Sequence, residues 1–91
     1  MPDTTRITAE QINALIVKEQ YHNFPDTRLT VCCLTLRNGF AVIGQSSSLT
    51  MAGFDAETGK RIARADAVDK IWQLEGYRLR QQLHEASPTT Y

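Results

Sequence analysis

Catalysis and metal binding need nucleophiles, bases or ligands brought together, and this chain offers few of each. Its only cysteines are the adjacent pair Cys32 and Cys33, and its only histidines are His22 and His84. A thiol beside an imidazole is the minimum for a nucleophile–base pair. Cys32 or Cys33 could meet His22, but no orienting third residue stands near either in the sequence. A structural metal needs four ligands at coherent spacing, and two histidines with a vicinal cysteine pair do not supply that. Adjacent residues of a strand point to opposite faces, and a disulfide between them would strain the backbone. The pair therefore reads as two reduced, buried thiols in a cytoplasmic setting. The serines of residues 47–53 (SSLTMAG) lack the glycine pattern and lysine of a phosphate-binding loop. The chain reads as a non-enzyme without cofactor or metal.

Two basic clusters remain: Lys60, Arg61 and Arg64, then Arg78 and Arg80. They could contact phosphates or an acidic partner. They could equally be a solvated helix face with local pairs, Asp66–Lys70 at i,i+4 and Glu75–Arg78 at i,i+3. The chain has 10 basic and 10 acidic residues. Zero net charge argues against non-specific nucleic-acid binding, which needs an excess of Lys and Arg. Nucleic-acid contact through those five residues stays as the alternative to protein binding.

Both clusters sit on one stretch, Phe54 to about Leu83, long and periodic enough to be the dominant helix. Asp55 is a suitable N-cap, and Glu57 complements the positive helix end. At 100° per residue, Ala65, Val68, Trp72, Leu79 and Leu83 share a side, with Ile62 and Ile71 flanking. A weaker apolar stripe of Ala63, Ala67, Leu74 and Tyr77 falls nearly opposite, which predicts neighbours on two sides. Some 30 residues make a helix of about 45 Å, longer than the roughly 30 Å diameter of a compact chain this size. It must bend or break, with Gly76 the natural place, or rest its free end on another subunit. Trp72 reads as core and Tyr77 as an interface anchor. Glu75, at the edge of the main stripe, needs a cation, Arg78 or another. Leu74, Glu75, Tyr77 and Arg78 are thus the candidate partner-binding residues.

Upstream, residues 1–6 carry no pattern and read as a mobile lead-in. Thr8 with Gln11 reads as a capping box, and Ile7 can staple onto Ile12. The expected first helix runs from about Ala9 to Gln20 and stops before Pro25, which disfavours helix at Phe24. LTVCCLTLR and FAVIGQS flank Asn38-Gly39, a two-residue type I′ hairpin signal. That turn would pair Arg37 with Phe40, Leu36 with Ala41, Thr35 with Val42, Leu34 with Ile43 and Cys33 with Gly44. Both faces would be largely apolar and need cover, and a lone ribbon would have two open edges. Pairing across a dimer would close one. Pro88 rules out a helical tail, so the chain end from about residue 86 reads as mobile. The 91 residues support one small domain, with no apolar run of membrane-spanning length and no signal peptide. The fold class is α+β: a helix, a two-stranded antiparallel hairpin, and a long C-terminal helix packed on it, as a homodimer.

Those residues also carry a family likeness. TVCCLTLRNGFAVIGQS, FDAETGKRIA and KIWQLEGYRL resemble a family of short tailed-phage and prophage proteins known by gene-forty-nine and gene-sixty-six members. The likeness covers roughly Thr30 to Leu79, and the run Trp72-Gln-Leu-Glu-Gly-Tyr77 is its most distinctive part. The resemblance carries over no enzymatic activity and no catalytic residue. It implies a phage or prophage setting inside a bacterial cell, hence a cytoplasmic location in the host. In that setting small accessory proteins commonly bind a host machine, inhibitors of CRISPR and other defences among them. The expected function is non-enzymatic protein–protein binding to a host protein or complex.

Overall fold

The computed structural model describes residues 6–48 and 55–86. Most of the expected lead-in, most of the connection into Asp55 and the tail beyond Ala86 lie outside those residues. The order is α1 (Ala9–Leu15), β1 (Ile16–Asn23), β2 (Leu29–Leu36), β3 (Ala41–Ser47) and α2 (Ala56–Ala86). The three strands form one antiparallel sheet in the order β1-β2-β3.

The capping box forms: Gln11 N donates to Thr8 Oγ1, and Thr8 N donates to Gln11 Oε1. Helix α1 is shorter than expected, because from Ile16 the chain turns extended and becomes β1. The sheet is therefore three-stranded, which corrects the two-stranded expectation. The deciding device is the turn after Asn23. Thr27 N donates to Phe24 O at 3.2 Å, Pro25 sits at the second position, and Asp26 takes φ 61°. Proline followed by a residue at positive φ describes a type II turn. It folds β2 back onto β1.

The second hairpin also differs from expectation. Asn38 does not take positive φ, while Gly39 does, at 89°. Gly39 N donates to Leu36 O and Leu36 N donates to Phe40 O. This is a type I turn followed by a left-handed glycine, with three residues in the loop instead of two. The register moves by one, so Thr35 pairs with Ala41, Leu34 with Val42, Cys33 with Ile43 and Cys32 with Gly44. A one-residue slip exchanges the faces. On β3, Val42 and Gly44 are buried with Cys32, Leu34 and Leu36, and Ile43 is exposed. The two cysteines are free and lie on opposite faces, Cys32 buried and Cys33 half-buried.

Helix α2 packs on β2 and β3. Its buried residues are Gly59, Ala63, Ala67 and Ile71, one every fourth position. The same spacing continues through half-buried Glu75, Leu79 and Leu83. Each step of four advances about 40° around the helix, so this single row winds round it. Counting at fixed azimuth splits the row into two stripes and makes Ala63–Ala67 look opposite to Leu79–Leu83. Ala65 and Trp72 lie off the row. Ala65 is exposed and Trp72 is 37% exposed, so neither is core.

Close approach sets the contact. A Cβ on Gly44 would sit 2.8 Å from Ala67 Cα, and nearer still to Ala63 O and Ala67 N. The helix backbone lies directly on β3 there, and only glycine opposite alanine permits it. Ile12 from α1 completes the core with Leu34, Val42 and Ile71. Helix α2 continues through Gly76 without a break. At 31 residues it is about 46 Å long, and strands of 7–8 residues span about 25 Å. The helix outruns the sheet.

Candidate functional site

The end of α2 that leaves the sheet passes the β2–β3 hairpin, and surface features gather on its two flanks. On the β3 flank, Phe40, Ala41, Ile43, Lys70, Leu74 and Tyr77 line an open groove of about 450 Å³. Phe40, Ile43, Leu74 and Tyr77 are all exposed, Tyr77 at 73%. The volume is that of a ligand pocket, but the groove is open along its length and its largest side chain stands in solvent. That shape suits the side chains of a docking protein better than an enclosed small molecule.

On the other flank, Glu75 and Arg78 share a depression with Leu15, Leu36, Arg37 and Asn38. Glu75 accepts from Arg78 Nε at 3.0 Å, and the Arg78 fork also reaches Gln82. Arg37 ties this region to α1 by donating to the carbonyls of Ala14 and Leu15. The four partner-binding candidates therefore do not form one cluster. Leu74 and Tyr77 face the apolar groove, and Glu75 and Arg78 make a local ion pair on the opposite flank.

The basic residues are spread as well. Arg64 donates to both carboxylate oxygens of Glu19 at 3.1 Å, joining α2 to β1. This fork geometry is the strong form of the pair. Its hydrogen bonds hold the Glu19 carboxyl below the usual range and raise Arg64. Lys60 lies 4.0 Å from Glu57 and 5.8 Å from the Tyr21 ring centroid. Arg61 is exposed. Arg80 falls about 160° round the helix from Arg78. Of the five nucleic-acid candidates, Lys60, Arg64 and Arg78 have carboxylate partners. Asp66 and Lys70, expected to pair with each other, instead reach the sheet. Gln45 N donates to Asp66 Oδ2 at 2.9 Å, and Lys70 Nζ donates to Ile43 O at 2.6 Å.

The Cys32 thiol shows no activation. Burial pushes the Cys32 thiol up, the reverse of what a nucleophile needs. Cys33 and His22 share a shallow depression on the open face of the sheet with Gln20, Tyr21 and Val31. His22 packs edge-on against Phe24, centroids 4.5 Å apart. Burial, followed by its hydrogen bond to Glu19, pushes the Tyr21 hydroxyl well above its ordinary value. Among the described residues no group of three His, Cys, Asp or Glu could hold a metal ion.

A family model matches residues 7–83: the phage protein (N4 Gp49/phage Sf6 gene 66) family. The chain belongs to that family. The match runs from Ile7, ahead of α1, to Leu83 near the end of α2, so it includes the sheet, the groove and the winding row of this phage protein. No curated protein and no solved structure matches it. Among the described residues, no helix is long and apolar enough to cross a membrane.

Sequence reasoning singled out Leu74 and Tyr77 but missed Phe40 and Ile43. With the two-residue turn, Ile43 falls on the face covered by the helix. The available signal was Gly39, which alone supports a three-residue loop and turns Ile43 outward.

Proposed function

We propose that this phage protein is a non-enzymatic accessory factor. It docks on a protein or complex of the bacterial host through the groove between β3 and α2. The observation behind this reading is the gathering of three large exposed apolar side chains, Phe40, Leu74 and Tyr77, around a groove beside a helix that outruns its own sheet. Exposed aromatic and aliphatic anchors around a groove are what protein interfaces concentrate. Lys70, at the groove wall, adds a polar group for orientation. The phage setting makes host defence machinery in the host cytoplasm, CRISPR complexes included, the first class of partner to test.

The test is co-purification from host lysate with a tagged chain and its Tyr77→Ser and Leu74→Ser variants. A specific complex held by the parent, and lost by both variants while their melting temperatures hold, supports the reading. Recovery of the parent protein alone overturns it. Nucleic-acid binding has less support, because carboxylates already partner Lys60, Arg64 and Arg78.

A further inference from the structure

The two edges of the sheet are treated differently. In an antiparallel sheet, the N–H and C=O of one residue point to the same side, and consecutive residues alternate. Ile43 O and Gln45 N bond to Lys70 and Asp66 of α2, so on β3 the odd-numbered residues point outward. Their partners Cys33 and Val31 must then point toward β1, where they meet Gln20 and His22. The outward groups of β1 therefore belong to Glu19, Tyr21 and Asn23. On β3, two helix side chains occupy the corresponding groups. On β1, no backbone bond outside the sheet involves those three residues among the described residues. Helix α2 packs on β2 and β3, and it reaches β1 through the long side chains of Arg64 and Lys60. Among the described residues, no backbone hydrogen bond covers the outer side of β1.

We infer that β1 pairs antiparallel with β1 of a second copy, about a two-fold axis through Tyr21, making one six-stranded sheet. Side-chain pairing about the axis sets the register. Centring on Glu19 would set two carboxylates face to face. Centring on Gln20 would set Lys18 against His22, and centring on His22 would set two imidazoles together. Centring on Tyr21 opposes Glu19 to Asn23, Gln20 to His22 and Tyr21 to its copy, with no like charges opposed. The irregularity between Ile16 and Lys18 limits the paired segment to residues from Lys18 onward. An aromatic pair at the centre is a favourable cross-strand contact. A closed two-fold pairing also satisfies the outward backbone groups of β1.

The site is separate from the β3–α2 groove, so its test is separate. Mass in solution over a dilution series should double from monomer to dimer. Register is read by mixing a Gln20→Cys chain with a His22→Cys chain, both carrying Cys33→Ser because Gln20 pairs with Cys33 within the sheet. Residues 20 and 22 would be a non-hydrogen-bonded pair, with Cα atoms about 4.5 Å apart, within disulfide reach. Mild oxidation should link the mixture and leave each variant alone unlinked. A monomeric mass at every concentration overturns the inference, as does a dimer that the mixed pair fails to link. Tyr77→Ser should leave the dimer intact, so failure of this inference is distinguishable from failure of the groove.

Discussion

The two halves of α2 meet their surroundings in opposite ways. From Gly59 to Ile71 the helix presents glycine and alanine to the sheet and brings its backbone against Gly44. From Leu74 onward, the large side chains of Leu74 and Tyr77 are exposed, and Gly76 has nothing within 4 Å of where a Cβ would be. The first half is bound by close packing, so volume is the sensitive quantity there. The second half has room around it, so intrinsic helix propensity decides. One residue type therefore has different consequences in the two places. The sharpest contrast is Gly44→Ala, where the added methyl would collide with helix backbone and no side chain can move aside. We expect a loss of more than about 3 kcal/mol, measured by urea denaturation. A loss under about 1 kcal/mol would mean the helix does not lie on β3 as described.

The winding row gives the next test. Ile71 and Trp72 are neighbours in sequence, but Ile71 is fully buried and Trp72 is 37% exposed. Ile71→Ala should cost about 3 kcal/mol, and Trp72→Ala less than about 2 kcal/mol despite the larger side chain. The reverse order would restore the stripe that places Trp72 in the core.

Far from the sheet the sign changes. Gly76→Ala should stabilise the protein by up to about 1 kcal/mol, because alanine is the better helix former and the added methyl meets nothing. Gly59→Ala falls between the two extremes. It gains the same propensity, but its Cβ would lie 2.9 Å from Oγ1 of buried Thr30. Its melting temperature should change less than that of either other glycine variant.

The same contrast explains what was readable in advance. Local chemistry with its own signature was legible: the Thr8 capping box, the Asp55 cap, the strands of the second hairpin, and a helix too long for its sheet. Asp55 accepts from Glu57 N and Thr58 Oγ1. Features that depend on a neighbour were not. Strand β1 alternates polar residues on both faces, because one face is open and the helix meets the other through Arg64 and Lys60. It has no apolar alternation to announce it, and the helical spacing of Ile12, Leu15 and Ile16 runs straight into it. The Phe24-Pro25-Asp26-Thr27 turn was the available clue, since proline before a residue that tolerates positive φ reverses a chain. By sequence the row of Ala63 and Ala67 makes the weaker stripe, because small side chains add little apolar surface. Here they are the contact surface because they are small.

The tie between β1 and α2 is electrostatic, and it has a definite pH signature. Arg64 holds Glu19 on β1 to the well-packed half of α2, and its hydrogen bonds lower the Glu19 carboxyl below its ordinary value. A group whose folded pKa is depressed contributes stability above its unfolded value, and loses that stability as pH falls through the folded one. The contribution should therefore be complete above the ordinary glutamate value of about 4.3 and fade in stronger acid. More than a third of the Glu19 side chain is exposed, so solvent screening limits the pair to about 1 kcal/mol or less. Glu19→Gln should lower the melting temperature slightly and by a constant amount from neutral pH down to about 5. Below that the two proteins should converge, since the parent glutamate is then itself neutral. A gap at pH 3 equal to the gap at pH 7 would show that the glutamine is disturbing packing, and that the charge on Glu19 does not hold β1 to the helix.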